Sequence, residues 1–552
     1  MKRTLRICVF ALAGCLSVIA ATAQTEPAVH SQSGYSISGV VVSAKTGLPL
    51  DEAHVTISDT GEYRLVAETV TNSEGRFSFT NLGAGKFSLR ASHNGFVGAA
   101  YDEHPGGIST AIVTGPDLVS TDLRFVLESQ AAIYGAITED SGDPVPQARV
   151  SLYKPDPRGT GKMMRVAVIG ADQLGNYEFP HLAAGTYYLC IVGTPWYATR
   201  AQPPVRDGSE PRSPLDVAYA MTCHPGVSDA NAAEPISVGA GDRVPVNVAM
   251  HAVLSVHITM QLPVGGDGRS VSMPQIRKDI FGYSEYMQPA VSSYASPGDA
   301  GVATSIEVGG LAPGHYDVEF SNSSPESSRF TSINAASESM SFDPSSAALM
   351  AEVTGKLAKA DGSNFAPGVA ISLTPHEGQE SMAAGVNPDG SFHIGTLRSG
   401  EYEVTVSDRG YAMTVAHLAA KGAAVSGHLL LAAGEPVELT ATVIEASATV
   451  NGFAKVNGKP ASGVFVVLVP SDARAGRYVW QPNQSDSDGS FNFPHVIPGN
   501  YTVVAIAEGW TLDWARPEVI APYLGKGVKV TVRPGAKDVS LSEAVEAQPK
   551  LP

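Results

Sequence analysis

The sequence predicts an all-β protein, a tandem array of about five β-sandwich domains, and three observations predict it. One pattern recurs: NSEGRFSFTNLGAGKFSL (72–89), DQLGNYEFPHLAAGTYYL (172–189), NPDGSFHIGTLRSGEYEV (387–404) and DSDGSFNFPHVIPGNYTV (486–503), with a weaker copy, TSIEVGGLAPGHYDV, at 304–318. The first-strand glycines Gly39 and Gly135 are 96 positions apart, and Gly355 and Gly452 are 97 apart, the length of an ordinary sandwich domain. With 56 Gly, 38 Pro and only 16% charged residues in 552, turns dominate and long solvated helices are disfavoured.

Within each copy, counted from its first glycine, apolar or aromatic residues fall at +2 and +4, an aliphatic at +7, a second glycine at +10, and an aromatic and an aliphatic at +12 and +14. The pairs Phe77/Phe79 and Phe87/Leu89 have the period of a strand, so each strand turns one apolar face the same way. The spacing is read as a hairpin, with Gly75 in its first turn, Leu82 plugging the end of the core, and Gly85 at a reversal that needs an unusual backbone angle. Two glycines within about eleven positions exclude a helix, because each costs roughly 1 kcal/mol there. Partner strands stand upstream of each regular copy, as YSISGVVVS then AHVTIS in the first and VNGFAKV then VFVVLVP in the last.

In chain order the expected organisation is a signal peptide (1–23), a polar lead (24–34), sandwiches at 35–128, 131–251 (with a long loop), 252–345, 350–446 and 447–545, and a loose tail (546–552). MKRTLRICVFALAGCLSVIAATAQ has a basic start, an apolar stretch and a small-residue site, so cleavage is expected between Ala23 and Gln24. Leu12-Ala13-Gly14-Cys15 also reads as a bacterial lipobox, with a lipid anchor at Cys15. The apolar run continuing through Leu16 to Ala20 favours cleavage. No later stretch reaches the roughly 18 apolar residues of a membrane helix, so no transmembrane helix is expected in the mature chain. The third sandwich is degenerate, carrying PVGGDGRSVSMPQIRKDIFGYSEYMQPA in place of regular strands. In the fifth, a helical turn around Pro517 to Leu524 is expected before VKVTV.

The repeats resemble carboxypeptidase regulatory-like domains, prealbumin-like sandwiches related to carbohydrate-binding-like modules. The resemblance rests on the first-strand glycine (Gly39, Gly135, Gly355, Gly452), the proline before the second strand (Pro49, Pro144, Pro367, Pro460) and the glycine-aromatic pattern. It implies an exported bacterial protein without catalytic residues.

The residues themselves point the same way. None of the 14 histidines is followed three positions on by glutamate, and there is no G-x-S-x-G elbow or Walker loop, so no enzyme is expected and no cofactor. Asp486-Ser487-Asp488-Gly489 looks like part of a calcium loop but occupies the turn of every repeat, so no metal is expected. A net charge of −17 argues against nucleic acid. Cys190 and Cys223 are the cysteines outside the N-terminal segment, and in an oxidising compartment they pair, or else remain two thiols. Cys190 alternates with Tyr187, Leu189 and Ile191 and is expected to look outward. The aromatic candidates for ligand contact are Trp196, Tyr197, Trp480, Trp510 and Trp514, with Tyr101 beside them. Flat rings suit sugar faces, and the alternative is that they cap the core. The expected function is exported, non-catalytic binding or scaffolding in the periplasm, at the cell surface or outside the cell. The partner is a polysaccharide or an envelope protein, and the alternative is a spacer or accessory subunit of an envelope peptidase or transporter.

Overall fold

The computed structural model describes residues 34–551 apart from 62–63, 158–160, 199–211, 262–273, 296–302, 321–327, 337–338, 377–380, 410, 426–427, 445–447, 472–479 and 515. The expectations for the N-terminal segment, including Cys15, Ala23 and Gln24, lie outside the described residues. Strands dominate, and the α-helix among the described residues is Pro517–Ile520.

In the first unit the strands are β1 (Tyr35–Ser43), β2 (His54–Asp59), β3 (Leu65–Val70), β4 (Arg76–Leu82), β5 (Gly85–Ser92), β6 (Ala99–Ala100), β7 (Ile112–Thr114) and β8 (Leu123–Leu127). They form two facing sheets, β4-β1-β8 and β3-β2-β5, and both β6 and β7 also pair with β5. Ile37, Val41, Phe77 and Phe79 of the first sheet meet Val55, Ile57, Phe87 and Leu89 of the second in one buried cluster. β8 lies parallel to β1. A Cβ on Gly39 would stand 2.2 Å from the Leu123 carbonyl oxygen, which explains the glycine of the first strand.

The repeated pattern is not a hairpin. β4 pairs with β1 and β5 pairs with β2, so the chain passes from one sheet to the other between them. The same holds in the second, third, fourth and fifth units. Apolar alternation is identical in the two geometries, since either way both strands turn one face to the core.

The odd step from +4 to +7 now has a cause. Strict alternation would send +7 outward, but the residue at +6 has positive φ in every unit: Asn81 (59°), His181 (61°), Gly310 (72°), Thr396 (55°) and His495 (54°). At that point the pairing register slips by one, as between Tyr35 and Ile37 opposite Leu82 and Phe79. The bulge turns Leu82 and its equivalents back inward, where they are buried.

The two glycines of the pattern do different work. Gly75, Gly175, Gly390 and Gly489 all have positive φ, and a Cβ on Gly390 would lie 2.0 Å from the Leu357 carbonyl oxygen. The glycine at +10 is not at a positive-φ reversal in the first unit. Gly85, Gly185, Gly314 and Gly499 lie instead against the ring at +12, so that an added Cβ would touch Phe87, Tyr187, Tyr316 or Tyr501. Where that ring is tyrosine its hydroxyl donates to the carbonyl four residues back: Tyr187 to Ala183 (2.8 Å), Tyr316 to Ala312 (2.6 Å), Tyr402 to Arg398 (2.9 Å) and Tyr501 to Ile497 (2.8 Å). This bond ties the crossover to the strand it feeds. Tyr316→Phe is expected to cost about 1 kcal/mol in denaturant unfolding, the net worth of one such bond. Phe87 already lacks it, so Phe87→Leu tests ring packing alone.

Two expectations about regularity are corrected, and the helical turn expected from Pro517 to Leu524 is present. The third unit is a full sandwich: Gln275–Ile280 and Tyr283–Tyr286 form a hairpin whose first strand pairs with Gly314–Phe320. Phe281 and Gly282 both have positive φ, the tight two-residue turn that Asn-Gly would ordinarily announce. In the fifth unit Pro517–Ile520 continues into a 3₁₀ segment, Ala521–Lys526, and Val528–Val532 follows. The chain end is not loose. Val545–Gln548 runs parallel to Ala448–Val456 in one sheet and Gly499–Ile506 in the other, and Gln548 donates to the Tyr523 carbonyl at 2.8 Å.

Candidate functional site

The aromatic candidates divide by burial. Trp480 and Trp514 are buried with Ile520 and Tyr523 on the far side of the fifth unit's second sheet, packed on Phe465, Val467, Val504 and Ile506. The cause is local: FVVLVP and YTVVAI are continuous apolar runs, so both faces of those strands need cover. One face takes the sandwich core and the other takes the helical segment 517–526. Both rings cover the sheet, as in the core-capping reading of these residues, and neither offers a face to a ligand. Trp196 is 65% exposed, its ring edge-on to Tyr197. The Tyr197 and Tyr219 hydroxyls both donate to Glu139 Oε2, at 3.2 and 2.7 Å, and the Tyr219 bond above all holds that carboxyl below the usual carboxylate range. Tyr101 is half-buried edge-on to Phe125.

Cys190 and Cys223 form a disulfide, their strands paired at that register. Cys190 does stand opposite the core-facing residues, yet it is buried. The outer face of its sheet is covered by Ile280 from the third unit, which packs with Tyr153, Met221 and Ala230. Beside this patch Glu285 of the third unit reaches into the second, pairing with Arg149 Nη2 at 2.7 Å and Arg165 Nη1 at 2.6 Å.

The outer face of the second sheet thus acts as a docking face, and two further contacts use it. In the first unit, Lys86 projects outward from β5, between the inward Gly85 and Phe87 positions. It pairs with Asp486 Oδ2 of the fifth unit at 2.5 Å and donates to Ser490 Oγ at 2.8 Å. Asp486 Oδ1 accepts the Ala111 N–H at 3.1 Å, while the Ser487 N–H donates to the Ala111 carbonyl at 3.0 Å. Burial pushes the Asp486 carboxyl up despite Lys86, which pulls it down. The residue suspected of calcium ligation therefore has both oxygens engaged. Gln484, fully buried, donates to Asp102 Oδ2 at 2.7 Å and bonds His104 Nδ1 through Oε1 at 3.0 Å. Trp510 stacks on His104 at 4.0 Å and 14° and meets Phe465 at its other side. That ring too is engaged in packing.

Between the third and fourth units lies a cavity of about 630 Å³. Its floor is the outer face of the third unit's second sheet, carrying Arg277, Asp279, Asp317 and Glu319; the crossover of the fourth unit, with Arg398 and Glu401, forms the opposite wall. Arg398 Nη1 bonds Asp317 Oδ2 at 2.9 Å and its guanidinium lies 3.7 Å over Phe330. Arg277 Nη2 bonds Glu319 Oε2 at 3.3 Å and Tyr286 OH at 2.7 Å. Burial raises the Asp279 carboxyl, Asp317 adding to the rise, against the Gly282 N–H and Arg398. The cavity therefore presents paired cations and anions with an excess of carboxylates. No reading of the repeats could assemble it, because its residues come from the strands and crossovers of two units. Among the described residues no group of three or more His, Cys, Asp and Glu converges as metal ligands would. No helix among them is long and apolar enough to cross a membrane, which says nothing of a β-barrel.

Comparison with known proteins agrees with the repeats at both ends of the array. Residues 36–119 match the carboxypeptidase regulatory-like domain. Residues 449–521 match the second β-sandwich domain of BOS complex subunit NOMO1-like proteins. Among curated proteins none matches the chain. Solved structures similar to it include the minor pilin GBS52 of Streptococcus agalactiae, at 13% identity over 40% of this chain and 97% of that one, with a TM-score of 0.22. The Bacillus anthracis TIE protein shares 8% identity over 94% of this chain and 75% of that one, with a TM-score of 0.17. The shaft pilin SpaA of Lactobacillus rhamnosus GG shares 8% over 40% and 97%, with a TM-score of 0.19.

Proposed function

We propose that the chain is an exported, non-catalytic binding and scaffolding protein, and that it takes a hydroxyl-rich ligand, a saccharide unit of a surface polymer, between its third and fourth units. The cavity of about 630 Å³ carries this reading. Adjacent carboxylates and guanidiniums offer acceptors and donors side by side, which suits hydroxyls because each both donates and accepts. The carboxylate excess disfavours polyanionic polymers. The basic and apolar N-terminal segment supports export, to the periplasm, the cell surface or the medium. The test is a glycan array followed by calorimetry on the strongest hit. Asp279→Asn is expected to weaken binding about tenfold, the worth of one charged hydrogen bond. An array without hits, or a hit indifferent to Asp279, would sink the reading.

Burial of Trp480 and Trp514 favours a second reading, a scaffold with no sugar ligand that holds an envelope protein, such as a peptidase or transporter to which it is accessory. Pull-down from the envelope fraction tests it. A rod-like spacer is disfavoured by the contact of the first unit with the fifth, and a compact small-angle scattering profile is the expected result.

A further inference from the structure

We propose that the contact between the first and fifth units is a head-to-tail docking surface that closes within one chain here and that can form equally between two copies of this chain. The two surfaces are unlike and complementary. One is the outer face of β5 with the tail Asp102–Thr110, and the other is the turn 484–490 with Trp510. A contact of this unlike-to-unlike kind closes a single chain into a ring, or links separate copies in series. Lys86 and Asp486 are 400 residues apart, and none of the bonds between the faces depends on both belonging to one chain.

Opening the contact without a replacement is costly. Gln484, Ser485 and Thr110 are all but fully buried, and Gln484 meets Asp102, Thr110 and His104 only through the closed arrangement. Separated, these groups would exchange bonds in a dry interface for water, and the stacked faces of His104 and Trp510 would be exposed. The second copy is the partner whose chemistry already matches every one of them. The first and second units carry the same His-Pro-Gly tail at the docking edge, His104–Gly106 and His224–Gly226, and in the second unit the neighbouring outer face receives the third unit. Use of this face for joining units is thus a property of the repeat.

Charge exchange tests the proposal on the full chain. Lys86→Asp and Asp486→Lys each place like charges across the contact, and each alone is expected to open the molecule, seen as a larger radius of gyration with unchanged far-ultraviolet circular dichroism. Mixed in equal amounts, the two variants restore opposite charge only between different chains, at both contacts of a crosswise pair. A doubling of mass to a one-to-one dimer is expected by light scattering, while the double variant carrying both changes is expected to be a closed monomer. A mixture that stays monomeric overturns the proposal, as do single variants with the native scattering profile. If either variant fails to fold, Ala111→Cys with Ser487→Cys replaces it, read on non-reducing gels. Cross-linked dimers after refolding at high concentration are then expected, and monomers at every concentration overturn it.

Discussion

Replacing His257 with leucine is expected to destabilise the junction of the second and third units by about 3–5 kcal/mol, the cost of leaving buried charge without its partner. His257 is 3% exposed, and its ring stands between Glu307, with Nδ1 to Oε1 at 2.5 Å, and Asp216, with Nε2 to Oδ1 at 2.8 Å. Glu307 lies on the strand paired with that of His257, whereas Asp216 comes from the tail of the second unit. Both ring nitrogens face acceptors, so the two bonds are made together only when both donate. Leucine removes both donors and leaves two buried carboxylates, Glu307 without its bond to the ring and Asp216 with only Arg212 at 3.1 Å. The contrast is the exposed pair His54–Glu68, whose loss is expected to cost under about 1 kcal/mol. Urea unfolding at neutral pH measures the difference. A loss below about 1 kcal/mol at neutral pH would contradict the buried triad.

Gly390→Val is expected to cost about 3 kcal/mol or more and to unfold the fourth unit ahead of its neighbours. Two effects add. Its φ of 85° is a conformation that a β-branched residue adopts only with strain, of order 1–3 kcal/mol. Its Cβ would also stand 2.0 Å from the Leu357 carbonyl oxygen, which accepts no such approach without moving the first strand. That strand is held there by the Leu357 N–H donating to the Gly390 carbonyl at 2.8 Å. Gly362→Ala is the control, since its φ is 75° but nothing lies within 4 Å of the added carbon. It is expected to cost about 1 kcal/mol, the conformational part alone. Scanning calorimetry of the two variants separates clash from strain, and equal losses would show that the close approach is relieved by backbone movement.

Much of the architecture was legible because it is written in local chemistry. The +2/+4 and +12/+14 alternation, the turn glycines and the hundred-residue period mark strands, bends and units wherever they stand. Two further features are legible in the sequence. The three-residue step from +4 to +7 cannot fit an unbroken strand, so it announced the bulge at Asn81 and its equivalents. The continuous runs FVVLVP and YTVVAI announced a sheet covered on both faces, and hence the burial of Trp480 and Trp514. The tight turn at Phe281-Gly282 was hidden because phenylalanine seldom accepts positive φ.

Pairing partners and sites belong to a different category. Whether β4 meets β5 or β1 leaves the inward face of each strand unchanged, so the hydrophobic pattern is the same for a hairpin and for a crossover between sheets. Lys86, Asp102, Gln484 and Asp486 are ordinary surface residues of their own units. They acquire a role only when units far apart in the chain bury them together. The same is true of Arg277, Asp279 and Arg398 around the cavity and of Asp216 beside His257. The sequence determined the strands, the bends and the number of units, because those depend on neighbours a few residues away. Tertiary structure alone decided which sheet each strand joins and where charges converge, because those depend on burial shared between distant segments.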